Sequence, residues 1–212
     1  MSTAPQRPTT RWIAETGGQR GPSYAAMMRE HAASGADVHG EARYLDELLA
    51  RAGGAGSRRV LEAGCGTGRV AIELARRGHQ VVGVDVDASM VAEGQVDART
   101  AGADLHWVVG DLLDVADLTA GHGPFDLVAA PGNVMVYLAP GTEPDVVAAL
   151  AGVLAPGGHL VVGFAADRGV TVEQHTRWCE AAGLVLVHHH STWDGDPADA
   201  SDGSYAVLVH RR

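Results

Sequence analysis

The sequence predicts a single α/β domain: a doubly wound, mostly parallel sheet of seven strands with helices on both faces, an antiparallel C-terminal hairpin and an N-terminal helical cover. Three observations carry this. Short apolar runs bounded by turn residues recur at 59–63, 80–84, 104–109, 125–130 and 159–165. Helix-like stretches such as VAIELARR, ASMVAEGQVDART and EPDVVAALAGVL lie between them, and such alternation means parallel strands joined by right-handed crossovers. The chain has 212 residues, enough for one full hydrophobic core but short for two domains that each build a site.

Taken in order, residues 1–23 carry Pro, Gly, Thr and Gln without periodicity, which reads as a flexible segment and a possible lid. The remaining residues, 24–212, form the single domain. From Tyr24 to Ala52 apolar residues return at helical spacing, broken near Gly35 and ended by GGAG, so two helices are expected ahead of the sheet. Past the fifth strand, 172–182 reads as a helix. Apolar runs at 184–190 and 205–210 flank the turn-rich WDGDPADASDGS and can pair as the hairpin.

Composition narrows the function. With 26 acidic and 16 basic residues the net charge is -10, which would repel a phosphate backbone, so nucleic acid is not an expected partner. No run approaches the length of a membrane span, and the polar start carries no secretory pattern; a cytoplasmic location is expected. Cys65 and Cys179 are the only cysteines, too few for a disulfide framework. Composition says nothing about oligomeric state.

The chemistry concentrates where RRVLEA runs into GCGTGR and then a helix. Gly64, Gly66 and Gly68 stand where a strand must turn sharply, and glycine lets a ligand approach the main chain. The next strand ends VVGVDVD and puts Asp85 twenty-one positions after Gly64, where a carboxylate can accept from both hydroxyls of a ribose. Arg69 occupies the position of the third glycine in a dinucleotide loop, which suits a cofactor without a pyrophosphate.

EAGCGTG followed by the strand ending in Asp85 resembles the first two motifs of the class I S-adenosylmethionine-dependent methyltransferases. VVGDLLDV, FDLVAAPGNV and LAPGGHLVV resemble the family's later segments in the same order. The resemblance implies S-adenosylmethionine as cofactor. Backbone around Ala63, Gly64 and Gly66 would meet its amino-acid part, Asp85 its ribose, Met90 its adenine, and Asp111 with Leu112 the adenine amine. Tyr24 and Arg43 are candidates for its carboxylate, with a surface ion pair as the alternative for Arg43.

For the acceptor, Ala130-Pro131-Gly132-Asn133 departs from the Pro-Pro-aromatic pattern of base-methylating members, and Asp126 is at the wrong end of its strand for the metal-dependent catechol type. The carboxyl ends of the strands should gather Asn133, Tyr137, Asp167 and Arg168, with His175 on the following helix. That polar lining points to a small-molecule acceptor and to O-methylation of a sugar, glycoside or other natural product. N-methylation of a small amine, a non-catalytic cofactor-binding regulator and a nucleotide-linked dehydrogenase are the alternatives. His39 and Glu41 are the candidate bases, since histidine as a residue type exchanges protons near neutral pH. No metal is expected: side chains of the run His188-His189-His190 alternate between strand faces.

Overall fold

Apolar runs bounded by turns become strands in the computed structural model, which describes residues 7–53, 56–201 and 203–212. The strands are β1 (Arg59–Ala63), β2 (Gln80–Asp85), β3 (His106–Val109), β4 (Phe125–Ala130), β5 (Leu154–Ala165), β6 (Val185–His190) and β7 (Tyr205–Arg211). They form one sheet in the order β3-β2-β1-β4-β5-β7-β6. The first five are parallel, and β7 runs antiparallel to both β5 and β6. The C-terminal hairpin is therefore present, with its second strand inserted between β5 and the edge strand β6.

Helices α1 (Arg11–Thr16), α2 (Gly21–Ala33) and α3 (Gly40–Gly53) precede the sheet; α4 (Arg69–Arg76), α5 (Ala88–Ala101), α6 (Val115–Leu118), α7 (Val134–Tyr137), α8 (Glu143–Gly152) and α9 (Val172–Ala181) connect its strands. The inner strands β1, β2, β4, β5 and β7 carry two apolar faces, as a sheet covered on both sides requires, while the edge strands β3 and β6 are more exposed. On one face Leu45, Leu74, Leu127 and Val207 pack together. On the other, Phe125, Leu150, Leu160 and Leu208 do so. The adjacent residues Val207 and Leu208 thus serve opposite cores, the period of two that defines a strand.

The reading of 7–23 as an aperiodic segment misses α1, which makes three helices ahead of the sheet. Its Thr10 accepts from the Ile13 N–H at 3.2 Å, and Gly17 closes it in the left-handed region at φ 67°. Residues 1–6 of the expected lid lie outside the described residues. Strand order reverses between β1 and β4, so the crevice of this fold opens at the carboxyl end of β1.

Candidate cofactor and acceptor cleft

Gly64, Gly66 and Gly68 carry β1 into α4, all three with positive φ (68°, 55° and 71°), a region glycine enters without penalty. The loop is tied to its neighbour: the N–H groups of Gly64 and Cys65 donate to the Val84 carbonyl at 2.8 and 3.0 Å. Asp85 completes the tie, accepting from Gly66 N at 2.7 Å and from Asp87 N at 2.8 Å. Its carboxyl is 8% exposed, and burial raises it above its ordinary value against those backbone hydrogen bonds. Each oxygen keeps a further lone pair for a ligand.

These groups line a cleft of about 520 Å³ that also takes in Met90, Asp111 and Leu112, a size suited to one small cofactor and an acceptor. A Cβ on Gly66 would stand 3.0 Å from Met90 Cε, so loop and thioether bracket the same space. Asp111 accepts from Leu113 N at 3.0 Å and caps the short turn that presents Leu112. Ala63 is wholly buried at the end of β1, adjoining the lining without belonging to it.

Glu62 is a lining residue that sequence reasoning passed over. It is 3% exposed, accepts from Ala71 N at 2.7 Å, and burial pushes its carboxyl up to about 8. The E of EAGCGTG was the available signal. Four acidic residues (Glu15, Glu62, Asp85 and Asp111) line the cleft against two arginines, Arg20 and Arg69. Arg69 is already matched by Glu41, to which it donates at 2.7 Å. An acidic lining fits a cofactor bearing a sulfonium and an ammonium, and opposes a pyrophosphate.

At the far side Trp12 crosses from α1. Its Nε1 donates to Asp87 at 2.9 Å and its rings meet Tyr137 and Tyr24 edge-on, with centroids 5.4 and 6.5 Å apart. Tyr24 and Tyr137 line the cleft as expected. Asn133 does so from a left-handed backbone at φ 70°; its Oδ1 accepts from Ala165 N at 2.7 Å and so pins the loop after β4 to β5. Trp12 was another omission from the expected site residues, with Glu15, Thr16 and Arg20 beside it in the lining, and the cap Thr10 with Gly17 was its signal.

Other expected site residues stand elsewhere. Arg43 is half-buried and donates to Asp37 at 2.7 Å, a surface ion pair outside the cleft. Glu41 is bound to Arg69; burial raises its carboxyl, but the guanidinium outweighs that and holds it below its ordinary value. His39 is half-buried, and its Nδ1 finds no hydrogen-bond partner among the described residues. Neither lines the cleft. His175 is fully buried against Phe164, because the face of α9 it occupies turns toward the sheet. Asp167 is exposed beyond the rim, and Arg168 reaches the cleft indirectly, its guanidinium 5.6 Å from the Tyr137 ring centroid.

Comparison with known proteins identifies the family. The family described as "Methyltransferase domain" matches residues 60–158. A TehB-like S-adenosylmethionine-dependent methyltransferase of Corynebacterium glutamicum superposes with a TM-score of 0.77 at 33% identity, over 90% of this chain and 97% of that one. Among curated relatives, the magnesium-protoporphyrin O-methyltransferase of Rhodobacter capsulatus is 39% identical over 84 residues, 39% of this chain and 35% of that protein. The ubiquinone biosynthesis O-methyltransferase of Cronobacter sakazakii is 33% identical over 117 residues, 55% and 46% of the two lengths. The chain thus spans less than half the length of these two relatives. The chain belongs to the S-adenosylmethionine-dependent methyltransferases, a family whose cofactor is S-adenosylmethionine.

Proposed function

We propose that this chain transfers a methyl group from S-adenosylmethionine to a small polar acceptor, and that the accepting atom is a hydroxyl oxygen of a sugar, glycoside or comparable natural product. One observation carries the reading. The cleft of about 520 Å³ is lined both by Gly66, Asp85 and Asp111, which we assign to the cofactor, and by Trp12, Thr16, Arg20, Tyr24, Asn133 and Tyr137, which we assign to the acceptor. Methyl transfer from a sulfonium is an in-line displacement, so alignment by such walls is the main requirement; effective molarities above about 10⁵ M are attainable that way. The names of the two curated relatives support oxygen as the acceptor atom.

The net charge of -10 and the acidic lining favour a small molecule over nucleic acid. Both cysteines are free and buried, in keeping with a reducing cytoplasm. Among the described residues no helix is long and apolar enough to cross a membrane. His39 and Glu41 are not retained as bases. A second reading, N-methylation of a small amine, is favoured by one observation: the aromatic wall of Trp12, Tyr24 and Tyr137 beside carboxylates suits a cationic guest.

Incubation with S-adenosylmethionine labelled with ¹³C at the methyl, across a panel of polyols, glycosides and amines, tests both. A new methoxy resonance is expected. An N-methyl signal alone would select the second reading, and no transfer to any acceptor while cofactor is bound would support a regulator.

A further inference from the structure

Between α9 and β7 a second set of chemistry-bearing side chains converges. His175 and Cys179 stand four residues apart on α9, the spacing that shares one helical face. His210 comes from β7, two residues after Leu208 and on the same face of the strand. All three are 0% exposed. One ligand atom from each lies within 4.8 Å of the other two. Neither nitrogen of His210 has a hydrogen-bond partner among the described residues, although a neutral imidazole carries a donor and an acceptor that burial leaves costly when unpaired. The methyl-transfer reading has no use for these groups.

We propose that His175, Cys179 and His210 bind one soft monovalent cation, copper(I), between α9 and the sheet. Two neutral imidazoles and one thiolate carry a single negative charge, which a monovalent ion cancels. A divalent ion would leave net charge in an apolar interior, where it is strongly disfavoured. The neighbouring carboxylate, Glu180, is exposed. Thiolate and imidazole are the ligands that select copper(I), and three donors suit a trigonal site, whereas structural zinc takes four.

Bond lengths of about 2.3 Å to sulfur and about 2.0 Å to nitrogen place those donors about 3.7 Å apart in a trigonal plane. Cys179 Sγ lies 3.6 Å from His175 Nδ1 and 3.9 Å from Nε2. The near-equality is a side-on approach, so the His175 ring turns about Cβ–Cγ to aim a lone pair at the ion. On binding, the S–H bond breaks, the sulfur–copper bond forms and the proton leaves to solvent; no electron is transferred. His210 pairs in register with Leu160, five residues upstream of the Ala165 that Asn133 holds at the cleft. The ion is therefore a structural element of the C-terminal layer.

The test supplies the full chain anaerobically with copper(I) buffered by a chelator of known affinity. One equivalent is expected to transfer, with an X-ray absorption shell of one sulfur and two nitrogens and a raised melting temperature. Cys179→Ser and His210→Gln are each expected to lower affinity by about a hundredfold or more, and Cys65→Ser to leave it unchanged. Wild-type protein that withdraws no copper, a shell without sulfur, or wild-type affinity in Cys179→Ser would overturn the site. The wild-type spectrum decides the matter even if a variant fails to fold.

Discussion

Glu62 joins its environment to its chemistry at the scale of one residue. An unfolded chain releases this proton at an ordinary carboxyl value, while the folded chain holds it up to about 8. Between those limits the native state binds the extra proton, and stability falls as pH rises. Cofactor binding runs in the other sense, because an ammonium and a sulfonium favour the carboxylate. Affinity for S-adenosylmethionine is predicted to climb between about pH 6 and about pH 8 and then level, and Glu62→Gln to flatten the climb. Calorimetry across that range checks it; a wild-type profile as flat as the variant's would refute the role. Asp85 was legible because strand length and loop spacing alone fix a strand tip. Arg43, His39 and His175 were not, since whether a helical or loop side chain meets a cleft depends on the element's rotation against the sheet, which no local pattern encodes.

Among the elements, the glycine loop and α1 differ in how they speak in sequence. Gly66→Val adds a Cβ 3.0 Å from the flexible end of Met90, at a φ of 55° that costs a branched residue about 1–2 kcal/mol. The variant is predicted to fold, with a melting temperature lowered by several degrees, and to lose cofactor binding. Gly68→Val is different, since its Cβ would fall 2.2 Å from Trp107 Cη2, and stability should suffer most. Normal cofactor binding by a folded Gly66→Val protein would reduce the loop to a turn.

Helix α1 has only six residues, too few to show a period, so its cap was the one readable feature. Deleting residues 1–19 keeps Gly21, whose N–H donates to Ser89 Oγ at 2.9 Å and whose Cα leaves no room for a side chain against the Ser89 backbone. With Trp12 and Thr16 gone, turnover is predicted to fall about tenfold or more, or the acceptor KM to rise by as much, with a smaller loss of cofactor affinity. Wild-type kcat and KM in the truncated protein would remove the cover from the reaction.

At the scale of the whole molecule, the parallel order was readable from alternating runs because the inner parallel strands β1, β2 and β4 are buried on both faces and their apolar runs are continuous. The placement of β7 between β5 and β6 was not, since an antiparallel pair looks the same in sequence whichever strand is inside. The same global view separates the rival cofactors. A cleft lined by Glu15, Asp85 and Asp111, with Arg20 opposed to them and Arg69 already matched by Glu41, favours a cation over a pyrophosphate. The most direct test is calorimetric titration of wild-type and Asp85→Ala protein with S-adenosylhomocysteine and with NAD. One equivalent of S-adenosylhomocysteine is predicted to bind the wild type, at least about tenfold more weakly to Asp85→Ala because hydrogen bonds to a charged acceptor are worth about 1.5–3 kcal/mol each, and NAD to give no saturable heat. Saturable NAD binding, or equal S-adenosylhomocysteine affinity in the two proteins, would contradict the cofactor site described.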